Sequence, residues 1–85
     1  MILDEMRNEI DNIDCEMVRL FEKRMNISKK IGDYKAEHGL PIYDAEREKA
    51  VLTSKVALLK DKGLEPALRS FYEGLFRVSR EYQKR

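Results

Sequence analysis

The sequence has no tryptophan, one cysteine, two prolines and four glycines among its 85 residues. A single cysteine excludes an intrachain disulfide framework and favours a reducing compartment. We interpret that residue, Cys15, as a small filler on a helix face. The scarcity of Pro and Gly, with many aliphatic and charged residues, favours an all-helical protein over a sheet with many turns.

An excess of one charge and a long apolar run are also missing. Seventeen basic residues stand against sixteen acidic ones, so nucleic-acid binding is not expected as the main task. No apolar run is long enough to span a membrane, and the N-terminal residues lack the basic and apolar regions of a signal peptide. We therefore expect a cytoplasmic protein that binds neither nucleic acid nor membrane.

The most extensive feature is an apolar stripe whose members are three or four residues apart, except for one gap at Arg24. Its members are Leu3, Met6, Ile10, Ile13, Met17, Leu20, Ile27, Ile31 and Tyr34. This spacing predicts one long helix, with Asp4 as its N-cap and an end near His38. Such a helix is roughly 50 Å long, whereas a compact chain of this length is only about 30 Å across. We therefore expect a partner to cover it, most simply a second copy of the chain.

Two further helices are predicted after a turn. Asp44 is a strong N-cap for the second helix, which we expect to end in a basic turn capped by Gly63. Glu65-Pro66 places proline at the first position of the third helix. The predicted fold is all-α, with three helices of unequal length in one domain over residues 1–85.

Functional groups are expected where polar residues lie on faces that should be apolar. Arg24 interrupts the stripe, and Lys35 follows eleven residues later, about three turns along nearly the same face. Ser79 and Gln83 continue the inner face of the third helix beyond Leu75 at intervals of four. Simpler interpretations stay open: a register-setting or snorkelling Arg24, a solvated Lys35 and a frayed end at Gln83.

Three more charged residues are candidates for the functional site. Arg47 and Glu48 lie in the first turn of the second helix and point to different faces, although a solvated helix start is the simpler interpretation. Arg7 lies about 25 Å from Arg24 along the axis and is rotated by about 260°. The two arginines cannot serve one pocket from one helix, but an antiparallel second copy would bring them together.

The residues alone thus predict a helical dimer with mainly cationic groups directed into its interior. This suits a small, doubly anionic organic ligand, because arginines clamp carboxylates in a forked geometry. The sequence has no Ser/His/Asp set, no metal-ligand spacing and no glycine-rich phosphate loop. Such a site would act by holding one conformation and stabilising charge as it develops.

Five sequence pieces occur in a fixed order over essentially the whole chain. They are Arg7-x-x-Ile10-Asp11-x-x-Asp14, Lys23-Arg24-Met25, Ile31-Gly32-x-x-Lys35, Pro41-Ile42-x-Asp44-x-x-Arg47-Glu48 and Ser79-x-x-x-Gln83. Together they resemble the small all-helical chorismate mutases, and the fourth piece is the most specific. The resemblance covers the chain without leaving room for a second domain.

The resemblance implies an isomerase that rearranges chorismate to prephenate, on the branch toward phenylalanine and tyrosine, with no cofactor and no metal. It implies an intertwined homodimer of three-helix chains with two equivalent sites. In each site, Arg24 and the partner's Arg7 would grip the substrate carboxylates. Lys35 and Gln83 would act on the ether oxygen, whose bond to the ring breaks.

The other site residues implied by the resemblance recognise the rest of the substrate. Glu48 and the backbone at Asp44 would hold the ring hydroxyl, while Arg47 and Ser79 would complete carboxylate recognition. Whether Arg80, next to Ser79, faces substrate or water is left open by the sequence.

Other functions also stay open. Isochorismate-pyruvate lyases use a related helical dimer, although the segment 41–48 favours the mutase because the link before the second helix helps to enclose the ring. A helical dimerisation or adaptor module without catalysis is the alternative from a different class. Activation by a partner enzyme is a further possibility. The sequence shows no allosteric domain, so feedback inhibition within this chain is not expected.

Overall fold

The chain forms three α-helices joined by two connections, one of which contains a short 3-10 helix. The computed structural model describes residues 1–85, with α1 at Ile2–Glu37, α2 at Ala45–Val56, the 3-10 helix at Lys62–Leu64 and α3 at Glu65–Gln83. The predicted all-α class and the long first helix are confirmed. The molecule measures 55 × 25 × 15 Å, and the 36 residues of α1 account for its longest dimension.

The start of α1 differs from the prediction. Met1 occupies the N-cap, and Asp4 lies inside the first turn without capping the helix through its side chain. The Glu5 amide donates to the Met1 carbonyl at 3.2 Å, so the backbone closes this turn. Asp4 and Glu5 remain favourable there because negative charge stabilises the N-terminal end of the helix dipole.

The connection from α1 to α2 turns at Gly39, whose φ of +64° lies in the left-handed region that favours glycine. The Leu40 amide donates to the Lys35 carbonyl at 2.8 Å and so closes the end of α1. Asp44 caps α2 as predicted, because its Oδ1 accepts a hydrogen bond from the Arg47 amide at 3.0 Å. The connection is therefore fixed at both ends.

The predicted end of α2 is wrong. The helix ends at Val56, well before the glycine cap expected at Gly63. Asp61 instead caps the separate 3-10 helix, since its Oδ1 accepts from the Gly63 amide at 2.9 Å. A short polar side chain that bonds the nearby backbone competes with helix continuation. The third helix begins at Glu65 with Pro66 in its first turn, as predicted.

The core is small and lies on one side of the molecule, where the C-terminal half of α1 packs on α3. The buried residues are Met25, Ser28, Gly32, Val56, Phe76 and Ser79. Residues 1–23 are all exposed, and apolar side chains there include Ile10 at 57% and Ile13 at 56% exposure. The rest of the chain leaves this half of the stripe uncovered, as expected from the length of α1. None of the helices combines the length and hydropathy that crossing a membrane requires.

Gly32 is where α1 and α3 approach most closely. A Cβ at this position would lie 2.5 Å from the Gln83 carbonyl oxygen and 2.8 Å from its Cα. Both atoms belong to the backbone of Gln83, which cannot rotate away as the end of a long side chain can. The absence of a side chain at Gly32 therefore fixes how near the last turn of α3 lies to α1.

We expect Gly32→Ala to lower the free energy of unfolding by about 1–3 kcal/mol, because overpacking outweighs the gain of up to about 1 kcal/mol in helix propensity. Urea denaturation followed by circular dichroism measures the change. The control is Asp33→Ala at the exposed neighbouring position, expected within about 0.5 kcal/mol of wild type. A Gly32→Ala protein as stable as the control would contradict this account of the helix contact.

Candidate active site

A cavity of about 250 Å³ lies between the C-terminal half of α1, the start of α2 and the last turns of α3. Seven of the eight residues singled out from the sequence line it: Arg24, Lys35, Asp44, Arg47, Glu48, Ser79 and Gln83. The eighth, Arg7, does not. Three segments that are far apart in the sequence therefore supply one set of polar groups.

Besides Ser28 and Arg80, five apolar side chains complete the cavity wall. They are Ile27, Ile31, Ile42, Val51 and Phe76. Apolar side chains beside convergent polar groups are usual in a site for a small organic molecule. Hydrocarbon parts of a ligand would pack here, while the polar groups fix its orientation.

Arg24 reaches from α1 to α3. Its Nη1 donates to Ser79 Oγ at 2.7 Å, and Ser79 is only 5% exposed. The same hydroxyl lies 4.0 Å from the sulfur of Met25. The guanidinium is thus directed across the helix pair rather than along the surface, which disfavours a snorkelling role. Its other N–H groups stay available, because a guanidinium carries five donors.

Lys35 connects α1 to the link that precedes α2. Its Nζ donates to the Ile42 carbonyl at 2.8 Å, and the side chain is half-buried rather than fully solvated. An ammonium group has three N–H donors, so this bond leaves two for another partner. The bond also holds the link against the cavity, where Ile42 contributes to the wall.

Gln83 lies in the last turn of α3, and its backbone packs against Gly32, so the helix does not fray before it. Its Oε1 is buried without a hydrogen-bond partner. Leaving a buried polar atom unpaired costs about 1–3 kcal/mol. Such a group in a cavity wall is more consistent with a role in binding than with packing alone.

Glu48 is held by Arg80, the residue whose direction the sequence leaves open. Arg80 Nη1 lies 2.6 Å from Oε1 and 2.5 Å from Oε2 of Glu48. The Arg80 guanidinium carbon also lies 4.8 Å from the centre of the Tyr43 ring. Arg80 therefore faces the cavity. The sequence contains a signal for this direction, because Arg80 follows the inner-face residue Phe76 by four positions.

The other charged residues lie at the edges of this arrangement. Asp44 and Arg47 line the cavity but are exposed, which places them at its mouth. Arg7 is exposed on the N-terminal half of α1, about 25 Å along the helix from Arg24. A single chain therefore does not bring Arg7 to its own cavity.

The cavity carries a surplus of positive charge. Arg24, Lys35, Arg47 and Arg80 outnumber Asp44 and Glu48, which leaves two positive charges without an opposite charge in the wall. No histidine or cysteine lines it. The site is therefore suited to a small dianion and to chemistry that needs orientation and charge stabilisation.

Comparisons with known proteins agree with the resemblance drawn from the sequence. The chain is 45% identical over 53 residues to the T-protein of Haemophilus influenzae, which is 62% of this chain and 14% of that protein. It is 33% identical over 63 residues to a chorismate mutase of Methanocaldococcus jannaschii, which is 74% of this chain and 64% of that protein. It is 31% identical over 72 residues to a 4-amino-4-deoxychorismate mutase of Streptomyces pristinaespiralis, which is 84% of this chain and 56% of that protein.

The chain thus spans less than two thirds of the length of each of these relatives, and only about one seventh of the T-protein. No solved structure matches it significantly. The family model for chorismate mutase type II matches residues 6–84, nearly the whole chain. This protein therefore belongs to the chorismate mutase type II family.

Proposed function

We propose that this chain converts chorismate to prephenate, on the branch toward phenylalanine and tyrosine. The main support for the proposal is that seven polar residues of the family's sequence pattern line one cationic cavity. Family membership over residues 6–84 supports it independently. The reaction takes place in the cytoplasm, because one unpaired cysteine suits a reducing compartment.

Chorismate carries two carboxylates, and the surplus of two positive charges matches them. Arg24 binds one carboxylate through N–H groups that Ser79 leaves free, and Ser79 fixes the direction of the guanidinium. Arg47, at the mouth, completes carboxylate recognition. Holding both carboxylates selects the compact conformer in which the reacting carbon atoms lie close together.

The reaction is a unimolecular pericyclic shift. The ether C–O bond breaks while a C–C bond forms, and no proton or other group is gained or lost. Negative charge accumulates on the ether oxygen in the transition state, where Lys35 and Gln83 donate hydrogen bonds to it. The two free donors of Lys35 and the place of Gln83, whose amide nitrogen can donate, in the same cavity wall support this assignment. Such donors lower the barrier because they are already oriented when the charge appears.

Glu48 and the backbone at Asp44 recognise the ring hydroxyl. Glu48 is half-buried in the wall, and its carboxylate oxygens have lone pairs beyond those used by Arg80. The start of α2 is fixed by the Asp44 cap, so this end of the cavity is rigid before substrate arrives. The ring hydroxyl therefore gives the substrate a defined orientation relative to Lys35.

The functional unit is an intertwined homodimer in which the partner's Arg7 completes each site. The exposed apolar stripe over the N-terminal half of α1 gives the second copy a surface to cover. An antiparallel second α1 would place its N-terminal half beside the C-terminal half of the first. This arrangement supplies the missing arginine, which one chain alone holds too far away.

The direct test is the loss of chorismate absorbance on adding the purified protein, with prephenate identified by chromatography. Isochorismate serves as the second substrate, with pyruvate measured as the product. Prephenate formation without release of pyruvate from isochorismate is the expected result. Pyruvate release as the dominant activity would reassign the chain to the lyases, and no turnover of either substrate would favour a non-catalytic module.

Lys35→Ala is expected to lower kcat by about 10²–10³-fold with a much smaller change in KM, because its charge acts mainly in the transition state. Steady-state kinetics with chorismate measures both constants. Lys30→Ala, at an exposed position on the same helix, is the matched control and should retain wild-type rates. A raised KM with unchanged kcat would assign Lys35 to ground-state binding instead.

Arg7→Ala and Arg24→Ala chains are each expected to be inactive as pure homodimers. Unfolding and refolding an equal mixture should restore about a quarter of wild-type activity, because half of the dimers regain one intact site of two. Activity of the mixture, compared with each variant refolded alone, provides the measurement. No recovery in a mixture shown to contain heterodimers would mean that the two arginines do not share a site.

A further inference from the structure

Arg80 is the one cationic residue of the cavity wall that the proposed function has not used. It lies one residue after Ser79 on α3, and Glu48 lies in the first turn of α2. Their contact joins two helices across the cavity and is the only ion pair in the chain between different helices. This location suggests that the ion pair has a role in the cavity and does not serve only to keep the surface soluble.

The contact with Arg80 balances the negative charge of Glu48, but the carboxylate can still accept hydrogen bonds. One nitrogen of Arg80 lies within 2.6 Å of both carboxylate oxygens, and the two side chains are 30% and 23% exposed. Each carboxylate oxygen has two lone pairs, so a second donor can still bind. At this degree of burial the charge pairing is screened less than on the open surface.

The Tyr43 ring also contacts the guanidinium, since its centre lies 4.8 Å from the guanidinium carbon. Arg80 is thus fixed between the link before α2 and the carboxylate of Glu48. A cationic group placed against Glu48 would meet this guanidinium at short range. A neutral hydroxyl would not be repelled.

We propose that Arg80 is a positioning residue that acts through Glu48 to select a substrate with a neutral hydroxyl, and to reject one with an ammonium group, at this end of the cavity. The inference rests on the proposed function and deepens it. Discrimination of this kind uses an unfavourable contact with the competitor as well as a favourable one with the substrate. The competing class is the same ring dicarboxylate with an amine, protonated near neutral pH, in place of the hydroxyl.

The experiment compares kcat/KM for chorismate and for its 4-amino-4-deoxy analogue in wild type, Arg80→Gln and Arg80→Lys. Arg80→Gln is expected to raise the ratio of amine to hydroxyl turnover at least tenfold, mainly through a lower KM for the amine. Arg80→Lys keeps the charge and should keep the wild-type ratio. Arg80→Met replaces the glutamine variant if that chain fails to fold by circular dichroism, and it has the same expected ratio.

Arg69→Gln is the matched control, because Arg69 also lies on α3 and also pairs with a glutamate, Glu65, but outside the cavity. It should leave both rates unchanged. A purely structural role for Arg80 predicts that both substrates lose activity in parallel, and an unchanged ratio in Arg80→Gln or Arg80→Met would overturn the inference.

Wild-type turnover separates the two proposals. A wild type that accepts the amine as well as chorismate would overturn the role of Arg80 and leave the mutase assignment intact. A wild type that turns over neither would overturn the mutase assignment, and the inference with it.

Discussion

The close contact between the C-terminal half of α1 and the last turns of α3 is the constraint on which the rest of the structure depends. Gly32 allows the backbone of Gln83 to approach to a distance that any side chain would prevent. The same contact brings Ser79 within 2.7 Å of Arg24 and places the Gln83 amide in the cavity wall. Packing and recognition are therefore not separate here, because small buried residues set the spacing at which the polar groups meet.

The site of the single chain is held by hydrogen bonds, although its apolar core is small. The buried apolar residues are only Met25, Val56 and Phe76, which is little for 85 residues. Directed hydrogen bonds also order the site: Lys35 donates to the Ile42 carbonyl, and Asp44 accepts from the Arg47 amide at the start of α2. These bonds hold Lys35 and the start of α2 in place, and the proposed stabilisation of a transition state would use such prior order.

Much of this arrangement could be predicted from the sequence, because it depends on periodicity and local capping. The three-four spacing gave the length of α1, and Asp44 and Pro66 marked the starts of α2 and α3. The ends were less predictable: α2 stops at Val56, and Asp61 caps a separate 3-10 helix. The pairing of Arg80 with Glu48 lay beyond local patterns, because it arises only when α2 and α3 pack together.

The uncovered N-terminal half of α1 has a consequence for how the protein exists at low concentration. In the proposed homodimer, a second copy would cover this surface, and folding and association would be one event governed by mass action. Thermal midpoints would then rise with protein concentration, and dilution alone would remove structure and activity together. The amount of protein in the cell would therefore set the fraction that is folded, as well as the rate of the reaction.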